Sequence, residues 1–279
     1  MTIKELINLG EKLLRAADVQ DAENDARELI GFVTGKDRSG LIMYLNSEVP
    51  EETMKRYLEL VDRRASRVPL QQITGEAEFM GFRFKVTKDV LAPRLETELL
   101  VREAAQRAIL GARILDLCTG SGIIGIALKK ICFGCEVVMT DVSEEALEVA
   151  KENAEANKAE VKLIRSDMFE GLEGEAPFSM IVSNPPYIAA AEIGELEPEV
   201  KDHEPMAALD GGEDGLDFYR IIAAEAPAHL KPSGYLLLEI GYDQGETVPG
   251  LLEQTGAFRD VKVIKDLSGN DRVVIAQAN

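Results

Sequence analysis

From Pro93 onward the chain repeats one pattern, a compact apolar run followed by a turn and a stretch with helical spacing. The runs cover 113–117, 136–140, 161–165, 178–183 and 234–240. Helical stretches at about 122–131, 143–157 and 217–230 lie between several of them. Apolar runs without alternation belong to strands buried on both faces, and strands joined through helices run parallel. Two later segments, 258–265 and 272–277, read as a closing hairpin around Ser268, Gly269, Asn270 and Asp271. The expectation is an α/β fold with a mainly parallel seven-stranded sheet and helices on both faces.

The first part of the chain has a different texture. Ile3, Leu6, Ile7, Leu13, Leu14 and Ala17 recur at helical spacing, as do Ala26, Leu29, Ile30 and Val33. A further helix begins near Pro50, with Met54, Tyr57, Leu58 and Val61 as its stripe. Residues 1–68 therefore read as a small helical bundle. Arg63, Arg64 and Arg67 close its last helix and read as a solvated end favoured by the helix dipole. Pro69, Gly75 and the alternating Phe79, Phe82, Phe84 and Val86 around Gly81 make 69–92 a linker carrying a hairpin. The α/β domain then occupies 93–279. No stretch approaches the roughly 20 apolar residues of a membrane span. The start lacks a basic region followed by an apolar run, and the three cysteines suit a reducing compartment, so a cytoplasmic location is expected.

Two motifs carry chemistry. The first runs Asp116, Leu117, Cys118, Thr119, Gly120, Ser121, Gly122 and follows the first strand into a helix. Glycines there let the backbone pass beneath a ligand, and the helix start supplies free N–H groups. The next strand ends in Asp141, whose carboxylate is placed to accept the hydroxyls of a ribose. The bland alternative is a helix-start acid beside Ser143. The glycines at 120, 122 and 125 miss the spacing of the pyrophosphate fingerprint, which favours a methyl donor such as S-adenosylmethionine over a dinucleotide. The second motif, Asn184, Pro185, Pro186, Tyr187, follows the fourth strand at the sheet's carboxyl edge. Its chance occurrence in this length is on the order of one in several hundred at background usages. The prolines fix the backbone, so the carbonyls of Asn184 and Pro185 and the Asn184 side chain can accept both hydrogens of a planar NH2 group. Tyr187 is placed to lie against its flat face.

The two motifs together resemble the methyltransferases that modify planar nitrogens. Pro69 to Gly75, Phe79 to Phe84, Pro93 to Glu98, Asp210 to Leu216 and Gly269 to Arg272 make the chain similar, over essentially its whole length, to the bacterial release factor glutamine methyltransferases. The resemblance implies a Rossmann-like S-adenosylmethionine-dependent fold. It also implies methyl transfer to the N5 amide nitrogen of the glutamine in the Gly-Gly-Gln motif of class 1 peptide chain release factors. By the same resemblance, Cys118, Thr119, Gly120, Ser121 and Gly122 contact the methionine portion of the cofactor. Asp141 binds ribose, and Asp167 and Met168 flank adenine. Asn184, Pro185, Pro186 and Tyr187 hold the glutamine, with Asn184 also beside the cofactor, and the helical bundle serves substrate recognition. Cys118 stands where the family's loop commonly has glycine, and Leu95 replaces the second proline of a Pro-Arg-Pro-Glu-Thr-Glu pattern.

Charge separates the rivals. Residues 1–92 carry 14 basic and 16 acidic side chains, leaving 17 and 34 in residues 93–279. Nucleic-acid affinity comes largely from neutralising phosphates, so an adenine N6 methyltransferase acting on nucleic acid fits poorly. A non-catalytic translation-factor adaptor would have no need of an intact Asn184 and Asp141. Cys132 and Cys135 have a zinc-like spacing but no second pair, so no metal is expected. The expected molecule is a monomer with a protein substrate and neither nucleic acid nor membrane as partner. Residues 190–217 hold ten acids against Lys201, and are expected to border the active-site mouth and steer a basic substrate, with Glu195, Glu197 and Glu199 among the steering groups.

Overall fold

The computed structural model describes residues 1–279, and the chain divides into two compact units. The first comprises Met1–Gly75 with Glu197–His203. Its helices are α1 (Ile3–Ala16), α2 (Ala22–Thr34), α3 (Arg38–Met43), α4 (Glu51–Ala65) and α5 (Leu70–Thr74). Thr2 opens α1 with a capping box closed by Glu5, which satisfies two of the helix's orphan donors. Leu6, Leu14, Leu29, Ile30 and Tyr57 meet in one core, whereas Leu13 of the expected stripe is exposed. The buried Tyr57 hydroxyl donates to the carbonyls of Leu6 and Ala26, which ties α4 to α1 and α2.

The second unit comprises Glu76–Leu196 and Glu204–Asn279. It opens with the hairpin β1 (Glu76–Phe79) and β2 (Phe82–Lys85), whose turn residues Met80 and Gly81 both have positive φ. That turn hand matches the twist of the strands. Next come α6 (Thr97–Arg107), β3 (Arg113–Leu117), α7 (Ile123–Ile131), β4 (Glu136–Asp141), α8 (Glu144–Ala156), β5 (Lys162–Arg165) and β6 (Phe178–Ser183). The chain then runs through α9 (Pro198–Lys201), which belongs to the helical unit. It continues with α10 (Asp217–His229), β7 (Leu230–Glu239), α11 (Thr247–Gln254), β8 (Phe258–Lys265) and β9 (Asp271–Ala278).

The large sheet has the order β5-β4-β3-β6-β7-β9-β8 and is parallel except for β9. Along β3 and β6 the side chains alternate between two cores. Ile114, Met180 and Val182 join α6, α7 and α8 on one face, while Leu115 and Ile181 join α10 and α11 on the other. Burying each such side chain contributes roughly 1.5–3 kcal/mol, so the sheet is anchored from both sides. The strand order reverses between β3 and β6, which is the place where open α/β sheets leave a crevice at their carboxyl ends. No helix is long and apolar enough to cross a membrane.

Three expectations change. The stretch 69–75 is the short helix α5 and belongs with the helical unit rather than with a hairpin linker. Residues 197–203 leave the 93–279 segment to join that same unit. Arg64 is no solvated helix end. It is buried, with Nε 2.7 Å from Asp25 Oδ2 and Nη1 2.8 Å from Glu199 Oε1. Arg67 binds Glu199 and Glu197 at 2.5 and 2.6 Å. Glu199 is therefore a largely buried structural counter-ion, and Glu197 is ion-paired at the surface.

Candidate active site

The crevice is built from the carboxyl ends of β3, β4, β5 and β6. Leu117 and Ser183 are register partners, so the loops that follow them leave the sheet side by side. The Ser183 hydroxyl donates to the Leu117 carbonyl at 2.6 Å and fixes that juxtaposition. Beneath the first loop Asp116 is fully buried, with Oδ2 accepting from the Thr119 hydroxyl and from Gly125 N–H at 2.8 Å. Burial raises its carboxyl to about 7. Gly125 is required by close approach, since a Cβ there would sit 2.6 Å from Met139 Cγ. Gly122 has φ +85 and caps α7 against the same methionine, so it faces the core.

Asp141 ends β4 and turns into the crevice. Its Oδ2 accepts from Gly120 N–H at 2.8 Å and its Oδ1 from Ser143 N–H at 3.0 Å. Burial raises its pKa and these N–H donors oppose the rise. Each oxygen keeps a lone pair for a further donor. The Asp141 carbonyl accepts from Ser166 N–H, which sets the turn bearing Asp167 and Met168. Ser166 Oγ donates to the Met168 carbonyl at 2.7 Å. Cys118 and Met168 both have positive φ, 60° and 44°, and their sulfurs lie 3.8 Å apart. Burial pushes the Cys118 thiol well above its usual value, so it remains a neutral wall group.

The cleft is lined by Cys118, Thr119, Gly120, Ser121, Asp141, Asp167, Met168, Asn184 and Pro186 of the expected set, with Arg94, Thr97 and Phe218 among the other walls. Gly122, Pro185 and Tyr187 do not form its wall. Pro185 is buried, and the Tyr187 ring packs on the core, where burial raises its hydroxyl to about 12. The Tyr187 carbonyl accepts from Gln244 Nε2 at 3.0 Å, so this residue anchors the turn. Leu95 is exposed, so a leucine in place of proline there meets no core packing. Cys132 and Cys135 lie in the core around α7.

Several contributors were not singled out from sequence. Asn153 on α8 donates to the carbonyls of Ser121 and Lys85 and accepts from Lys85 N–H at 2.6 Å, holding the glycine loop against β2. Arg94 binds the buried Glu204 at 2.7 Å, and Glu204 also accepts from Ala92 N–H. These partners stand far apart in sequence, and no local spacing marks them. Arg94 and Thr97 are the exceptions, because both belong to the Pro93 to Glu98 stretch that carries the resemblance.

The doubly wound sheet, the glycine loop with its acid at the next strand end, and the Asn-Pro-Pro-Tyr turn at the switch point together define a Rossmann-like methyltransferase. The model of the methyltransferase small domain matches residues 95–196, and that of the PrmC N-terminal domain matches residues 5–75. A methyltransferase from Pyrococcus furiosus shares the fold, with a TM-score of 0.55, 24% identity, and 71% of this chain and 90% of that one covered. A Geobacter sulfurreducens release factor glutamine methyltransferase is 43% identical over 98% of this chain and 95% of the relative. The Clostridium acetobutylicum protein of the same name is 38% identical over 99% and 98%. The chain belongs to the release factor glutamine methyltransferase family.

Proposed function

We propose that this chain transfers a methyl group from S-adenosylmethionine to the N5 amide nitrogen of the glutamine in the Gly-Gly-Gln motif of class 1 peptide chain release factors. The observation that carries the reading is the pairing of Leu117 with Ser183, which sets the cofactor loop beside Asn184. The cleft suits the cofactor. An added Cβ at Gly120 would meet nothing within 4 Å, so bare backbone faces the space where a ligand lies. The Asp141 carboxylate stands ready for ribose hydroxyls, with Asp167 and Met168 beside it for adenine. Bound S-adenosylmethionine supplies an electrophilic methyl group.

The chain's own work is positioning. An amide nitrogen is a poor nucleophile because its lone pair is delocalised into the carbonyl. Asn184 Oδ1, the clamp acceptor that lines the cleft, accepts an N–H of the amide and aims the nitrogen inward, and such alignment lowers the barrier without an acid or base. The methylated nitrogen is strongly acidic and sheds its proton unaided, in keeping with a cleft wall that contains no histidine. The helical unit recognises the release factor, and the enzyme works as a cytoplasmic monomer without a nucleic-acid partner. Mass spectrometry of a release factor after incubation with enzyme and cofactor tests the reading. One methyl group on the Gly-Gly-Gln glutamine is expected, and an unmodified glutamine overturns it.

A further inference from the structure

Behind Asn184 lies a buried acid that the transfer step itself does not use. Glu239 ends β7, the strand beside β6, and is 1% exposed. Thr97 and Asn184 stand beside its carboxyl and favour the charged form against burial. Asn184 Nδ2 also donates to Thr97 Oγ1 at 3.4 Å. Glu239 Oε2 has no hydrogen-bond partner, and its backbone carbonyl accepts from the Tyr219 hydroxyl at 2.7 Å. The groups facing the carboxyl are Arg272 on β9, Glu96 and Thr97 at the start of α6, Asn184 on β6's turn, and Tyr187 and Tyr219. Burying a carboxyl with an unpartnered oxygen costs stability.

We propose that Glu239 and Thr97 are positioning residues that set the direction of the Asn184 amide, turning its oxygen toward the substrate glutamine. The inference rests on the glutamine-methylation reading. A threonine hydroxyl has one proton, and an ionised Glu239 takes it. Thr97 Oγ1 is then only an acceptor for Asn184, so the NH2 end of Asn184 turns inward and Oδ1 is left for the substrate N–H. A protonated Glu239 reverses the order. It donates to Thr97, whose own proton becomes free to bind Asn184 Oδ1, and the flipped amide presents hydrogens to hydrogens.

Burial raises Glu239 to about 7, with Thr97, Arg272 and Asn184 opposing the rise. The productive orientation is therefore gained as pH rises through about 7 and lost as it falls. The experiment measures kcat for release factor methylation between about pH 6 and 9, and cofactor affinity by calorimetry, in the native enzyme, Glu239→Gln, Thr97→Val, Thr97→Ser and the Glu239→Gln/Thr97→Val double variant. The native kcat should climb to a plateau above neutrality. Glu239→Gln should lose that step and fall on the order of tenfold to a hundredfold at the plateau, the scale of a misaligned reactant. Its KM for the release factor and its cofactor affinity should stay native. Thr97→Val should match it, the double variant should be no worse than either single, and Thr97→Ser should keep the native profile. A native pH profile in Glu239→Gln, or additive losses in the double variant, overturns the proposal. Should Glu239→Gln not fold, the contrast between Thr97→Val and Thr97→Ser decides alone. Failure of the native enzyme to methylate glutamine at all refutes the underlying reading instead.

Discussion

Removing the Asp141 carboxylate probes the cofactor site most directly, because three of its expected loads can be separated. Its two oxygens hold Gly120 N–H at 2.8 Å and Ser143 N–H at 3.0 Å, and they face the cleft for ribose. A hydrogen bond to a charged group is worth about 1.5–3 kcal/mol, so loss of the ribose contact in Asp141→Ala should weaken S-adenosylmethionine binding about tenfold to a hundredfold. The two released N–H groups add a stability cost of about 1–3 kcal/mol for each that water does not reach. Calorimetric titration reads the first effect and chemical denaturation the second. The pH dependence has a definite sign. Burial raises the Asp141 carboxyl, and the ionised form is the acceptor, so native affinity is full above that raised value. It declines as pH falls through it, at higher pH than for an ordinary aspartate. Asp141→Ala should show no such decline. A native dissociation constant in Asp141→Ala, with the fold intact, removes Asp141 from the ribose site.

Asn184→Ala should keep cofactor affinity and lose most glutamine methylation, and near-native turnover of a release factor would sink the clamp. Gly125→Ala should destabilise the α/β unit by about 1–3 kcal/mol, because the new Cβ sits 2.6 Å from Met139 Cγ and 2.9 Å from Asp116 Oδ2. A denaturation midpoint equal to native would show that the loop can yield. Arg64→Leu leaves Asp25 buried without its cation and should cost about 3–5 kcal/mol in denaturant unfolding. A cost under about 1 kcal/mol, the level of an exposed pair, contradicts the buried network. With Glu197 and Glu199 committed to Arg64 and Arg67, the steering test moves to the exposed Glu192, Glu195 and Glu213. Exposed charges are screened beyond about 8 Å at physiological salt, so replacing these three with Gln should flatten the salt dependence of methylation at limiting substrate. An unchanged salt profile assigns their acidity to solubility.

What could be read from the chain was what is local. The strands of the parallel sheet are unbroken apolar runs, and the glycine loop and the Asn-Pro-Pro-Tyr turn are contiguous, so both ends of the crevice were visible. Helix α6 escaped notice because only Leu100, Val101 and Ala104 mark its inner face among charged neighbours. Helix α11 carries Pro249 and Gly250 within its first turns, residues that ordinarily signal a loop. The Arg64–Glu199 pair joins residues 135 apart, and only the folded chain reveals why a run of acids follows the active-site turn. Tyr187 was expected at the substrate, and its half-buried ring against the core and its carbonyl held by Gln244 were not legible in the motif.

The backbone at the cofactor site carries a further consequence. Left-handed geometry costs an L-residue roughly 1–2 kcal/mol, and both Cys118 and Met168 adopt it where their sulfurs meet across the cleft. Such strain persists only where the surroundings over-determine it. Those surroundings can be named. Ser183 Oγ holds the Leu117 carbonyl immediately before Cys118, Thr140 O accepts from Thr119 N–H immediately after it, and Ser166 Oγ grips the carbonyl of Met168. A reaction that proceeds by alignment, with no acid or base to share the work, gains from walls that do not relax. A glycine at position 118 would reach the same φ without strain, but it would bring no side chain to meet Met168. The cysteine therefore exchanges backbone ease for a packed sulfur contact at the cleft wall.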